Sequence, residues 1–173
     1  MIKTLPLLSG FMVLLFICPS RLAAQTPDDK KLFERAVACI KYFEGWHTTR
    51  NHPYIGYGHK LLPGEKLTSN LSRAQADSLL RADLRKRYVT FRRFGKDALL
   101  LTVLSYNVGE YCLIGSGKIP KSNLIKKLEK GDRDIYKEYI YYRKYKGKVV
   151  PSIERRRKCE YVLLYIPWCI IIE

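Results

Sequence analysis

The sequence lacks any arrangement of ligands for a metal ion. It contains no Cys-x-x-Cys, and none of its three histidines neighbours a cysteine, so the usual zinc-site spacings are excluded. It also lacks an apolar run of the roughly 20 residues needed to cross a bilayer; the apolar start, Leu5 to Cys18, falls well short of that. No internal repeat or low-complexity linker divides the 173 residues, which leaves room for one ordinary domain and not for two. Acidic side chains are scarce, 16 against 32 lysines and arginines. A charge so one-sided steers a chain toward polyanions and says little about its fold.

What stands at the start of the chain is a targeting pattern. Lys3 gives a positive beginning, Leu5 to Cys18 is almost without polar residues, Pro19-Ser20-Arg21 breaks the run, and Leu22-Ala23-Ala24 ends it on small side chains. This order reads as a secretory signal peptide over residues 1 to 24, cleaved after Ala24, with a single domain over 25 to 173. An uncleaved anchor would need a longer apolar core. A lipoprotein would need a small residue before the cysteine, and Ile17 precedes Cys18. Removal of Lys3 and Arg21 leaves 30 basic side chains against 16 acidic ones. Nucleic acid would be the default partner of such a chain in the cytosol. Export replaces that default with anionic cell-envelope polymers and surfaces, and no nucleic-acid partner is expected. Of the cysteines, Cys39, Cys112, Cys159 and Cys169 remain after cleavage. An oxidising compartment permits their pairing, while Cys39 and Cys159 equally suit small buried positions on helices.

The mature chain reads as mainly helical. Thr26-Pro27-Asp28-Asp29 forms a helix start, and Leu32, Ala36, Ile40 and Phe43 recur at helical spacing up to Glu44-Gly45. Residues 45 to 62 carry Pro53, Gly56 and Gly58 among Tyr54, Ile55 and Tyr57, which predicts a short hairpin or extended loop. Ser72 and Gln75 form a capping-box pair opening a helix whose apolar face is Leu79, Leu80, Leu84, Tyr88 and Phe91. Gly95 interrupts, Asp97 is placed to cap again, and Ala98 to Val108 is apolar enough to be a central buried helix ended by Gly109. Residues 110 to 121 read as a glycine-rich loop. Helices are expected from about Ser122 to Lys130, from Asp132 to Tyr145, and from Pro151 on, where Val162, Leu163, Leu164 and Ile166 complete the core. The stretch Pro167 to Ile172 is apolar beyond what that core needs.

Glu44 is the candidate acid catalyst. Such a group works best where its surroundings favour the protonated form, and Glu44 follows Tyr42-Phe43 at the negative end of a helix dipole, where the chain opens. The residues around it carry a resemblance. Phe43-Glu44-Gly45, Ile55-Gly56-Tyr57-Gly58-His59, Asp77-Ser78-Leu79-Leu80 with Asp83, Tyr106-Asn107-Val108-Gly109, Lys121-Ser122-Asn123-Leu124 and Arg156-Arg157 with Glu160 follow one another in that order. Together they resemble the phage-type lysozymes and endolysins of glycoside hydrolase family 24, from about Leu32 to Leu164.

The resemblance implies a lysozyme-like fold, mainly α with a small hairpin forming one wall of the active-site cleft. It implies a monomeric peptidoglycan hydrolase without cofactor or metal. The enzyme would cut the β-1,4 bond between N-acetylmuramic acid and N-acetylglucosamine, with Glu44 as general acid. Tyr54, Tyr57, Tyr106 and Asn107 would bind the glycan, His59 would be structural, and one of Arg155, Arg156 and Arg157 would approach Glu44. The family also uses an aspartate shortly after the glutamate and a threonine before the hairpin glycines. Here no Asp or Glu lies between Gly45 and Ile55, and Tyr54 stands at the threonine position. A phenol, titrating near 10, is a poor base. Three alternatives follow: His52 or His47 serves as base; Glu65 or another acid reaches in, or Glu44 acts without a base; or catalysis is lost and a peptidoglycan-binding protein remains.

Overall fold

The computed structural model describes residues 27 to 165; the targeting segment, Thr26, Cys169 and the apolar C-terminal stretch lie outside the described residues. Among the described residues seven α-helices form, one of them central. Helix α1 runs Pro27–Glu44, α2 Arg73–Phe91, α3 Ala98–Val108, α4 Tyr111–Ile114, α5 Asn123–Glu129, α6 Tyr136–Ile140 and α7 Pro151–Leu164. Two antiparallel hairpins complete the fold, β1 (Tyr54–Ile55) with β2 (His59–Lys60) and β3 (Lys144–Tyr145) with β4 (Lys148–Val149).

Helix α3 is the axis. Every side chain from Ala98 to Ser105 is buried, as expected of a helix apolar on all sides, and α1, α2 and α7 pack around it. Leu32, Ala36, Val37 and Ile40 of α1, Leu80, Leu84 and Phe91 of α2, and Tyr161 and Leu164 of α7 close the core. The capping box of α2 forms as its sequence predicts: the Ser72 hydroxyl accepts from the Gln75 amide at 3.2 Å, and the Gln75 side chain accepts from the Ser72 amide at 2.8 Å. Among the described residues no helix is long and apolar enough to cross a membrane.

Several local expectations are corrected. Asp97 does not cap α3; it is buried and accepts two hydrogen bonds from Arg133, each at 2.8 Å. Burial pushes its carboxyl above the usual range, and Arg133 pulls the other way. The segment 110 to 121 contains the short helix α4. The helix expected to reach Tyr145 stops at Ile140, and residues 144 to 149 are a hairpin closed by Lys146 and Gly147, both at positive φ, the pairing suited to a two-residue turn. Tyr88, expected on the apolar face of α2, is exposed, as is Val162 on α7.

Cys39 is buried, Cys112 exposed and Cys159 half-buried, all as free thiols. Burial pushes the Cys39 thiol up to about 12, so it packs as a small apolar side chain.

Candidate active site

Glu44 is the last residue of α1, and its carboxylate is held between two elements far apart in sequence. Beyond it the chain turns at Gly45, and the His47 amide donates to the Gly56 carbonyl at 2.8 Å, tying the turn to the β1–β2 hairpin. Trp46 meets Tyr57 edge to face at 5.4 Å, and Arg73 of α2 lies over the Trp46 ring at 4.0 Å. The hairpin tip therefore folds back over the end of α1. At Gly58, where φ is +91°, a β-carbon would lie 3.3 Å from Glu44 Oε2. A β-carbon at Gly56 would instead strike Ala76 of α2 at 2.9 Å.

The other carboxylate oxygen faces α7. Arg156 Nη1 donates to Glu44 Oε1 at 2.7 Å, and Arg156 Nε donates to Glu160 Oε1 at 2.8 Å. Side-chain exposure is 17% for Glu44 and 8% for Arg156, so this is a largely desolvated, charge-assisted pair. Of the basic run on α7, Arg155 and Lys158 face solvent while Arg156 and Arg157 are buried. Helical spacing puts Arg156, Arg157 and Glu160 on one inward face. The sequence named three arginines as candidates; spacing to the inward Glu160 leaves Arg156 and Arg157, and packing against the end of α1 picks Arg156.

The remaining expected site residues divide into two groups. Tyr57 and Tyr106 lie on the hairpin side of Glu44, and Asn107 meets Arg157. The Tyr106 hydroxyl donates to the Tyr57 carbonyl at 2.9 Å, joining α3 to the hairpin. Burial, reinforced by the charges of Asp83 and Glu44, raises its phenol pKa. Asn107 is exposed and its Oδ1 accepts from Arg157 Nη2 at 2.7 Å, which leaves its amide nitrogen as a donor for a ligand. Tyr54 is exposed on β1, with its ring 6.1 Å from that of His47.

His52 is exposed in the loop before β1 and makes no bond to Glu44. His47 is half-buried, and its Nδ1 is buried without a partner. Glu65 is committed elsewhere: its Oε2 accepts from the Leu62 amide at 2.9 Å and lies 3.1 Å from His59 Nε2. The Leu62 amide first, and His59 second, hold its carboxyl below the usual range. Among the described residues no group of three or more His, Cys, Asp or Glu is placed to hold a metal ion.

His59 is buried at the base of the hairpin, with Nδ1 2.7 Å from Asp83 Oδ2. Burial is the largest influence on the ring and opposes its charge, yet the hydrogen bonds with Asp83 and Glu65 outweigh it and raise its pKa above 6.5. A raised value means that the stabilisation is complete below the unfolded pKa and is lost as pH rises through the folded one. Asp83→Asn is therefore expected to cost roughly 1 kcal/mol more, a few degrees in Tm, at about pH 5.5 than at about pH 9. Thermal melts of both proteins at the two pH values check this; an equal loss at both would remove charge from the pair.

A carboxylate closing the first helix, a hairpin laid against it and a central buried helix behind define a lysozyme-like muramidase fold. The muramidase domain of SpmX from Asticaccaulis excentricus superposes with a TM-score of 0.58 at 21% identity, covering 75% of this chain and 94% of that one. The sequence profile of phage lysozymes matches residues 41–160, and the chain belongs to that family. No curated protein sequence matches it significantly.

Proposed function

We propose that the protein is a lysozyme that hydrolyses the β-1,4 bond between N-acetylmuramic acid and N-acetylglucosamine in bacterial peptidoglycan, with Glu44 as the general acid. The observation that carries this reading is the setting of the Glu44 carboxylate: one oxygen anchored by Arg156, the other against the bare backbone at Gly58, in a chain of the phage lysozyme family. Glycoside cleavage needs a proton on the departing oxygen and a second group or a water on the other face of the sugar. Glu44 supplies the proton. Tyr54, Tyr57 and Asn107 offer ring faces and an amide to the glycan, whose sugars present apolar faces ringed by hydroxyls.

For the second group, His47 is better supported than His52. It is half-buried, its backbone is tied to the hairpin, and its Nδ1 is free of protein partners. We further propose that the chain acts outside the cytoplasm after cleavage near Ala24, where its positive charge favours envelope polyanions. This rests on the sequence pattern of residues 1 to 24.

A second reading, a catalytically silent peptidoglycan-binding protein, is favoured by the absence of acid between Gly45 and Ile55 together with the commitment of Glu65 to His59. A zymogram cast with purified wall separates the two. Clearing is expected; wall binding without clearing would establish the silent module.

Gly58→Ala tests the contact between hairpin and acid. The methyl would have to occupy the space against Glu44 Oε2 at a φ that L-residues avoid, costing about 1–2 kcal/mol in the backbone alone. Displacement of a catalytic group by a fraction of an ångström costs on the order of ten- to a hundredfold in rate. Clearing by the folded variant should fall by that factor, and a wild-type rate would show that the carboxylate does not work from this position.

A further inference from the structure

Behind the Glu44–Arg156 pair lies a second carboxylate that the proposed chemistry does not use. Glu160 is fully buried. Its Oε1 accepts from Arg156 Nε at 2.8 Å, its Oε2 accepts from the Tyr139 hydroxyl at 2.8 Å, and Arg157 Nη1 lies 2.8 Å from the same Oε2. Both arginines reach onward with their other nitrogens, Arg156 Nη1 to Glu44 and Arg157 Nη2 to Asn107. We infer that Glu160 is a positioning residue that sets Glu44 and Asn107 together, through two arginines, from one point in the core. The inference rests on the proposed role of Glu44 as the acid.

The physical basis is the rigidity of guanidinium. Its nitrogens share one plane, so fixing one edge fixes the direction of the others. With Nε held by Glu160, Arg156 has little freedom in where it presents Nη1, and Glu44 must meet it there. Arg157 is held to Glu160 by charge alone, as an ion pair at 2.8 Å without a hydrogen bond, and from there its Nη2 meets Asn107 Oδ1. One carboxylate on α7 thus aligns the end of α1 with the end of α3, two elements that have no other charged connection at this site among the described residues. Charge requires it as well. Arg156 and Arg157 are 8% and 0% exposed in their side chains, and Glu44 alone would leave one buried guanidinium uncompensated, a costly state. The Tyr139 hydroxyl, itself fully buried, anchors the hub to α6.

A purely structural role would lower stability and leave turnover of the folded protein alone, so the test reads kcat and KM on purified glycan strands below the melting temperature of each variant. Glu160→Gln is expected to lower kcat by about tenfold to a hundredfold, with KM within about twofold of wild type because no sugar contact is removed. Tyr139→Phe keeps every charge and loosens the hub by one hydrogen bond; a kcat lowered about threefold is expected. It decides the matter alone if Glu160→Gln does not fold. Folded variants that turn over at the wild-type rate, or whose loss lies wholly in KM, overturn the positioning role while the lysozyme reading stands. A wild-type chain that turns over no glycan strand overturns both.

Discussion

Glu44→Gln should reduce wall clearing by about a hundredfold to ten-thousandfold, the range contributed by a positioned acid, while the protein stays folded and still binds wall. Glutamine keeps an oxygen that can accept from Arg156 Nη1, so the anchor seen at 2.7 Å is retained in part. What it cannot do is hand over a proton. The side chain is only 17% exposed and stands against backbone at Gly58, so no rearrangement of solvent replaces the missing donor. Turbidity loss of a wall suspension, measured beside circular dichroism, reads both halves of the result. Clearing at more than a tenth of the wild-type rate would remove Glu44 from the chemistry.

Arg156→Met should have the largest effect on stability. Among the described residues, the substitution leaves Glu160 fully buried with Arg157 as its only ion-pair partner, and Glu44 with none. Breaking a buried pair from one side costs about 3–5 kcal/mol, which for a domain of this size is roughly 10 °C in Tm. The cost comes from the stranded charge and not from lost packing, since methionine fills much of the same space. Neutralising the stranded partner should therefore restore part of the loss, and Arg156→Met with Glu160→Gln should melt above Arg156→Met alone. If the double substitution melts lower, as two independent losses would, the buried network does not carry the stability assigned to it. Activity should fall with Arg156→Met in either case, because the acid loses its anchor.

Features that write themselves into a short window of sequence were legible before the structure. The stripe of Leu32, Ala36 and Ile40 gave α1 and its end at Glu44, the Ser72–Gln75 pair gave the start of α2, and the unbroken apolar run gave α3 as the axis. The glycines and aromatics after Trp46 gave the hairpin. The β3–β4 hairpin left no such trace because all four of its residues are exposed, so neither the alternation of a half-buried strand nor an apolar run marks it. Asp97 has the right residue type for a cap, but Arg133, 36 residues away in sequence, claims its carboxylate.

The site divides in the same way. Glu44 was visible from its helix end and its neighbours. Long-range partners such as Arg156, 112 residues further along the chain, are set by packing that no local pattern encodes. No Asp or Glu lies between Gly45 and Ile55, and Glu65, the acid expected to reach in instead, is drawn off by His59. His47, with its unpartnered nitrogen, gains weight over the exposed His52 only from its burial.

The chemistry of the cut ends is the most direct test. Purified peptidoglycan digested with the wild-type protein, reduced with borohydride and hydrolysed in acid, should yield muramitol, the deacetylated alcohol of an N-acetylmuramic acid freed at C1. Glucosaminitol in its place, release of peptide alone, or fragments lacking any reducible end would contradict the assignment of a muramidase with Glu44 as its acid.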